Sequence, residues 1–281
     1  MVCGRAANSY LIPLQLSWGV SEQHLLSLGM TQDFYDELAP YYHLLYPDWN
    51  ASIRRQSHGL AEVLTEFGVL PGDELLDAAA GIGTQALGLA QLGYRVTASD
   101  LSSGAIARAR DEANARGLYI SFVVADLRHL SRVFDRRFRA VIACDNAVPH
   151  LLCDDDIRAA FVECRRLLDP GGVFLISVRD YASIERRSPD HRSYGSRAVD
   201  DRIYTAEQVW RWVGNEYDLT LRLTEQRGSD DVIVHEFRSR YYAVDLATLA
   251  RLLVEAGFAS VARRDEYFFQ PLLVAVNAPA R

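Results

Sequence analysis

Between Leu75 and Ala90 the chain reads LLDAAAGIGTQALGLA, and Gly81 and Gly83 stand where an apolar strand would turn into a helix. Glycines at such a turn let the backbone come close to a ligand and adopt φ values that other residues avoid. Acids end the apolar runs around this loop. Asp77 closes ELLD, Asp100 closes YRVTASD, Asp126 closes ISFVVAD, and Asp145 with Asn146 closes AVIACDN. Open α/β sheets bind ligands at the carboxyl ends of their strands. Four acids on that edge suit a cationic ligand and would repel a diphosphate. A fifth run, GVFLISVR, ends on Arg179, a cation against this acidic background that needs an anion beside it. The anion is either a substrate group or one of Asp180, Glu185 and Asp145. His150 also has two readings: proton transfer near neutral pH, or a plain hydrogen bond to a loop carbonyl.

With Ala86 the glycine stretch satisfies G-x-G-x-x-A, a short pattern that fits a dinucleotide and S-adenosylmethionine (SAM) equally well. The acids favour SAM, whose methionine end carries an ammonium and which has no phosphate. Asp100 is placed to accept from the ribose hydroxyls, or else to cap the helix that follows, although Ser102 can do that too. Asp126 is placed for the adenine amino group, or for an ion pair with Arg128.

Alternating apolar runs and helical patterns position these residues. After ELLDAAA come the helix GTQALGLAQLG, the strand YRVTASD, the helix SGAIARARDEANARG, and the strands ISFVVAD and AVIACDN. The helix DDIRAAFVECRRLL and the strand GVFLISVRD follow. The pattern predicts an α/β, Rossmann-like, doubly wound, mostly parallel seven-stranded sheet. Ahead of it, FYDELAPYYHLLY and SIRRQSHGLAEVLTEFGVL read as two amphipathic helices. Tyr35, Tyr42, Tyr46 and Trp49 cluster there, as core packing or as a lid whose ring faces stabilise a sulfonium. Trp210, Trp212 and Tyr241 have the same two readings. YASIERRSPDHRSYGSRAVDD, Tyr181 to Asp201, reads as a polar, Arg-rich loop. RIYTAEQVWRWV, YDLTLRLTEQ and DVIVHEFRSRYYAV then form an antiparallel meander, so residues 182–243 are expected as a small β insertion over the active site. The helix DLATLARLLVEAG and strands near 258–264 and 269–276 close the domain, which is expected over residues 30–281. Residues 1–29 read as an N-terminal extension, with Met30 a natural start.

The 281 residues carry a formal net charge of −7, which argues against a dominant nucleic-acid surface. All 30 basic residues are Arg. The four cysteines have no zinc spacing, no apolar run reaches a membrane span, and a cytoplasmic protein with free thiols is expected. No metal, nucleic-acid or membrane partner is expected; a homo-oligomer is compatible with the sequence.

The stretch LLDAAAGIGTQALGLAQLGYRVTASDLSSGAIARAR resembles motif I and the acidic loop of class I SAM-dependent methyltransferases, with Ala79 where Gly is usual. LARLLVEAGFASV resembles their last helix and following strand, and the resemblance runs from Phe34 to the end. It implies SAM as cofactor, held by Asp77, Ala79, Gly81, Gly83, Asp100, Leu101, Asp126, Leu127 and Asp145, the Asp145 carbonyl receiving the ammonium. DNAVPHLLCDD and PGGVFLISVRDYASI resemble, more narrowly, the Asn-x-x-x-His and His-Arg-Asn-Tyr-Asp segments of glycine and sarcosine N-methyltransferases. Here the second reads Val178-Arg179-Asp180-Tyr181, a departure that leaves room for another substrate. By that resemblance Arg179 grips a substrate carboxylate and Asn146 lies beside the amine. His150 and Tyr35 complete the expected catalytic set. The expected function is N-methylation of a small amine bearing a carboxylate. O- or C-methylation of a natural product and SAM binding without transfer are the alternatives.

Overall fold

The structure, a computed structural model, describes residues 22–228 and 231–279. Residues 1–21, most of the expected extension, lie outside the described residues. Seven strands form the main sheet: β1 (Glu74–Asp77), β2 (Arg95–Asp100), β3 (Ser121–Val124), β4 (Phe138–Ala143), β5 (Leu168–Ser177), β10 (Ser260–Arg264) and β11 (Leu272–Val276). Their order is β3-β2-β1-β4-β5-β11-β10, with β1 to β5 parallel and β11 antiparallel to both neighbours. The chain reverses its direction of winding between β1 and β4, and the crevice at such a switch point is the ligand site of open α/β sheets.

Alternation along the strands explains why the sheet is covered on both faces. Leu75, Ile142 and Leu175 join Leu60, Leu64 and Leu89 in a core under α2 (Trp49–Glu66) and α3 (Thr84–Gln91). Leu76, Val141 and Phe174 point the other way, to Phe161 and Leu252 of α5 (Asp154–Arg166) and α6 (Leu246–Glu255). Successive strand residues face opposite sides, so each strand serves two cores. Every fully buried Leu, Ile, Val or Phe contributes about 1.5–3 kcal/mol. The helix α4 (Ser103–Ala115) follows β2 and is capped by Ser102, whose Oγ accepts from the Ala105 amide at 2.9 Å.

Two expectations change. The first helix, α1 (Glu22–Leu38), begins upstream of Met30 and stops before Pro40; Tyr42–Leu45 is a separate 3-10 turn. Proline has no N–H to donate and disfavours helical geometry in the residue before it. Asp48 then caps α2, accepting from the Ala51 amide at 2.8 Å, so Tyr42, Tyr46 and Trp49 do not share one helix. The stretch read as an Arg-rich loop contains a strand, β6 (Asp190–Val199). With β7 (Arg202–Val213), β8 (Glu216–Arg227) and β9 (Asp231–Tyr242) it forms a four-stranded antiparallel sheet in sequential order. As an edge strand with no fully buried side chain, β6 needs little hydrophobic alternation, so its sequence looks like a loop. The turn expected at RGSDD includes residues 229 and 230, which lie outside the described residues. This second sheet leaves β5 just past Arg179 and folds back, β9 against α1 and β7 against the 3-10 turn at Tyr42.

Candidate active site

The loop after β1 is shaped by its glycines. Gly81 has φ +53° and Gly83 φ +91°, conformations that side chains resist. A Cβ built on Gly81 would meet nothing within 4 Å, because this residue faces an open cleft. A Cβ on Gly83 would sit 3.3 Å from Ala109 Cβ and Leu87 Cγ. Gly83 therefore shapes the turn and lets α3 approach α4; it does not line the cleft, contrary to its expected place on the cofactor. Ala79 lines the cleft without a left-handed backbone, which is why alanine is tolerated there.

The cleft encloses about 900 Å³ including its open mouth. Ala79, Gly81, Asp100, Leu101, Asp126, Leu127 and Asp145 all line it. Asp100 is held at both oxygens, accepting from the Gly81 amide at 2.8 Å and the Ser102 amide at 2.9 Å. Ser102 is the helix cap, so the Asp100 carboxylate is free to serve the cleft. Asp126 forms the ion pair with Arg128 that the sequence allowed, at 2.6 Å, and Arg128 reaches on to Asp156 at 2.6 Å. Burial would raise the Asp126 pKa, but hydrogen bonds and charge from Arg128 bring it below the usual range. Asp77 differs from the others: it lies beneath the loop, 1% exposed, with no well-formed hydrogen bond among the described residues although the Ala79 and Ala86 amides lie near enough to stabilise its charge, and it does not line the cleft.

Burial pushes the Asp77 carboxyl up to about 8, with help from Asp100, and burial also raises Asp100 and Asp145. Carboxylates whose ionisation is opposed by burial gain most from a cation placed among them. A diphosphate would oppose them further. Open space over Gly81 and the prepared Asp100 fit SAM, which the seven lining residues named above would hold.

At the switch point, Asp145 and Asn146 both have left-handed backbones, φ +57° and +66°. Such residues cost about 1–2 kcal/mol each and persist where surroundings hold them. The holding is visible: Ser177 Oγ accepts from the Asp145 amide at 2.7 Å, and the Ser177 carbonyl accepts from the Asn146 amide at 2.9 Å. Asp145 turns its carboxylate to the Tyr46 hydroxyl, 3.1 Å away. The Asn146 side chain does not lie beside a substrate space. It is 2% exposed, accepts from the Arg179 amide at 3.1 Å and contacts the Tyr181 hydroxyl at 2.9 Å. Asn146 is thus a positioning residue for the chain around Arg179.

A second cavity, of about 940 Å³ with its mouth, shares Tyr35, Tyr42, Tyr46 and Asp145 with the first. Arg179 lines it. The guanidinium makes no ion pair or hydrogen bond among the described residues; it stands 5.3 Å from the centre of the Trp210 ring. Two of the three acids that could have neutralised it are engaged elsewhere: Asp180 pairs with Arg263 at 3.4 Å and Glu185 with Arg187 at 2.6 Å. Asp145 accepts from Tyr46 and lines the same cavity; burial raises its pKa, and the Arg179 charge works against that rise.

Tyr35 and His150 stand at the seam between the cavities, with the Tyr35 hydroxyl 2.9 Å from His150 Nε2. Ser239 Oγ lies 3.4 Å from Nδ1, and the Tyr241 ring packs on the imidazole at 4.0 Å between centroids. Burial, and then the charge of Arg179, lower the His150 pKa to about 3. The shift favours the neutral imidazole, and the contact the structure shows for it is the hydrogen bond with Tyr35. Tyr241 continues to Tyr217 at 5.1 Å and 4°, and Tyr217 to Trp210 at 4.3 Å and 16°. The insertion aromatics form one stacked column behind Arg179, each pair contributing about 0.5–1.5 kcal/mol beyond burial. Trp212 packs beside this column and does not line either cavity.

The sequence did not single out Gln208 and Tyr194, which also line the second cavity, or Arg197. Arg197 donates to the carbonyls of Tyr46 at 2.9 Å and Tyr194 at 2.8 Å, tying the insertion to the segment before α2. Only a buried glutamine within the apolar alternation of β7 hinted at Gln208. Among the described residues no helix is long and apolar enough to cross a membrane, and no cluster of potential metal ligands occurs.

A family model described as a methyltransferase domain matches residues 75–172, the stretch from β1 into β5. A glycine/sarcosine N-methyltransferase of Halorhodospira halochloris is 29% identical over 137 residues, covering 49% of this chain; the alignment spans only 50% of that relative. The provisionally named methyltransferase YqeM of Bacillus subtilis is 30% identical over 205 residues, 69% of this chain and 76% of its own. Among solved structures, SAM-bound CalS10 of Micromonospora echinaspora, an amino pentose methyltransferase, superposes with a TM-score of 0.70 at 16% identity, covering 81% of this chain and 92% of that one. A switch-point cleft that suits a cationic cofactor, on this sheet order and with these relatives, places the chain among the class I SAM-dependent methyltransferases.

Proposed function

We propose that this protein N-methylates a small amine that bears a carboxylate. One observation carries the reading: Arg179, a partly buried cation with no acid at ion-pair distance among the described residues, lines the cavity next to the cofactor cleft. An Arg in that state is completed by a ligand carboxylate, which its planar fork can bind through two hydrogen bonds. The relatives named glycine/sarcosine N-methyltransferase support the same class. Bound SAM supplies an electrophilic methyl group on a sulfonium. The chain's own work is positioning and exclusion of water. Arg179 anchors the substrate, Asn146 holds the Arg179 backbone, and Tyr35, Tyr42 and Tyr46 wall the seam between the cavities. With His150 neutral and weakly basic, the amine enters already deprotonated, its proton lost to solvent.

The test is incubation of purified protein with SAM and paired substrates, each amine with and without its carboxylate, read by mass gain. Transfer confined to carboxylate-free substrates defeats the proposal. A second reading, O- or C-methylation of a natural product, is favoured by the room in the second cavity, about 940 Å³ with its open mouth. SAM binding with no transfer to any acceptor would leave the non-catalytic alternative standing.

A further inference from the structure

The cofactor cleft has two sides of different origin. Strand-end loops of the main sheet form one. The other comprises Thr31 and Tyr35 of α1 with Tyr42 and Tyr46 of the segment after it. Thr31 and Tyr35 are four residues apart, so one face of the helix presents both to the cleft. Tyr35 also lines the second cavity and meets His150. The position of α1 therefore sets a wall of both spaces.

What fixes α1 is visible one residue beyond Tyr35. Asp36 Oδ1 accepts from the Ser102 hydroxyl at 2.6 Å and from the Gly104 amide at 2.7 Å. Gly104 stands in the first turn of α4, where backbone amides lack partners within the helix and the helix dipole favours a negative charge. Hydrogen bonds to a carboxylate are stronger than those between neutral groups. The approach is close. A Cβ built on Gly104 would lie 3.0 Å from Asp36 Cα and 3.1 Å from the Asp36 carbonyl oxygen, backbone atoms that cannot swing aside. A second tie holds the end of α1, where Arg108 of α4 donates to the Pro40 carbonyl at 3.4 Å.

Ser102 joins this clasp to the cofactor edge. Its hydroxyl donates to Asp36, and its amide donates to Asp100 Oδ1 at 2.9 Å. The other Asp100 oxygen accepts from the Gly81 amide. The helix that covers the cleft and the acid expected at the ribose are thus fastened to the same residue. Among the described residues Asp36 has no arginine or histidine partner; its contacts are the two donors of the clasp.

We propose that Asp36 is a positioning residue for the cofactor: its clasp on Ser102 and Gly104 holds α1 across the cleft and slows the release of SAM. The proposal rests on the cofactor cleft alone, and the carboxylate reading of Arg179 can fail without touching it.

Surface plasmon resonance, with the full chain immobilised and SAM in the flow, reads the dissociation rate without an acceptor substrate. Asp36→Ala removes the acceptor of both hydrogen bonds and should speed SAM release at least tenfold. Gly104→Ala leaves every acid in place but forces α1 away from α4, and should speed release at least fivefold. A smaller rise in either variant overturns the proposal; should one of them fail to fold, the other decides by its own limit. Asp36→Asn keeps Oδ1 as an acceptor for both donors and removes the charge. Its release should be no more than threefold faster than that of the wild type. A larger rise overturns the proposal, because the negative charge near Asp100, and not the clasp, would then retain SAM. Thermal midpoints of the SAM-free variants complete the test: a lowered midpoint with unchanged release would make Asp36 a structural residue only, and would also overturn the proposal.

Discussion

The cofactor cleft and the second cavity share four side chains and differ in how they are built. The cleft comes from consecutive strand ends: the loop at Ala79–Gly81, Asp100–Leu101, Asp126–Leu127 and Asp145, each following its own strand of one parallel sheet. Its donors and acceptors are largely backbone or carboxylates held by backbone. The cavity draws on α1, α2, the insertion sheet, the end of β5 and the segment before β11, and its polar groups are side chains. A site made of adjacent strand ends is inherited with the fold. A site made where distant segments meet can change through any of them, which leaves substrate choice free to vary over a constant cofactor edge.

If that division is real, mutations in one region should spare the other. The largest effect is expected at Arg179. Arg179→Ala should cost about 2–4 kcal/mol in kcat/KM for a carboxylate substrate, the range for breaking a buried charged pair, and Arg179→Lys less. SAM affinity by calorimetry should stay within twofold. Parallel loss of SAM binding would show that the two regions are one unit and that Arg179 is structural.

Asp100→Asn makes the reciprocal test. It keeps the size of the side chain and removes the charge that strengthens hydrogen bonds to a ribose, so SAM should bind about 1.5–3 kcal/mol more weakly. The KM for the amine should change little at saturating SAM. Unchanged SAM affinity would take Asp100 out of the cofactor site.

The seam itself has a pH signature. His150 is held at about 3 by burial and the nearby Arg179 charge, below the value of about 6.5 for an unfolded chain. Its folded pKa is lowered, so its contribution to stability is present above pH 6.5 and is lost as pH falls from 6.5 toward 3. Between pH 7 and pH 5 this group alone should remove about 2 kcal/mol of stability. In His150→Phe that component should vanish, so denaturant midpoints of variant and wild type should move closer as pH falls. A constant difference would mean that the imidazole takes up a proton in the folded protein. The same arrangement predicts no His150 inflection in kcat/KM between pH 5 and 8.

The smallest contrast lies within the glycine loop. Gly83→Ala forces a left-handed alanine against Ala109 and Leu87 and should destabilise the fold by about 1–2 kcal/mol. Gly81→Ala carries a similar backbone cost but projects into the cleft, so it should also reduce the heat protection given by SAM. If Gly83→Ala weakens SAM as much as Gly81→Ala does, the assignment of the two glycines to packing and to ligand is wrong.

Much of this was legible in the order of residues. The alternation of short apolar runs with helical periods gave the doubly wound sheet, because burial on both faces demands it. Asp100, Asp126 and Asp145 could be placed from sequence because a residue that ends a parallel strand must lie on the ligand edge. Gly81 could be placed because a left-handed turn there has few other solutions. These features are set by neighbours within a few positions. Decisions that depended on distant partners could not be read this way. Whether Arg179 was paired hung on where Asp180, Glu185 and Asp145 turned: Arg263 and Arg187 took the first two, and Asp145 turned to Tyr46 in the same cavity as Arg179. Asn146 faced Tyr181 and not a substrate space, His150 was buried beside a cation, and β6 was a strand only because β7 lay alongside it. Local sequence specifies the backbone path and the edge on which a side chain emerges. Burial, charge environment and hydrogen-bond partners arise from segments far apart in the chain, and only the folded packing brings these together.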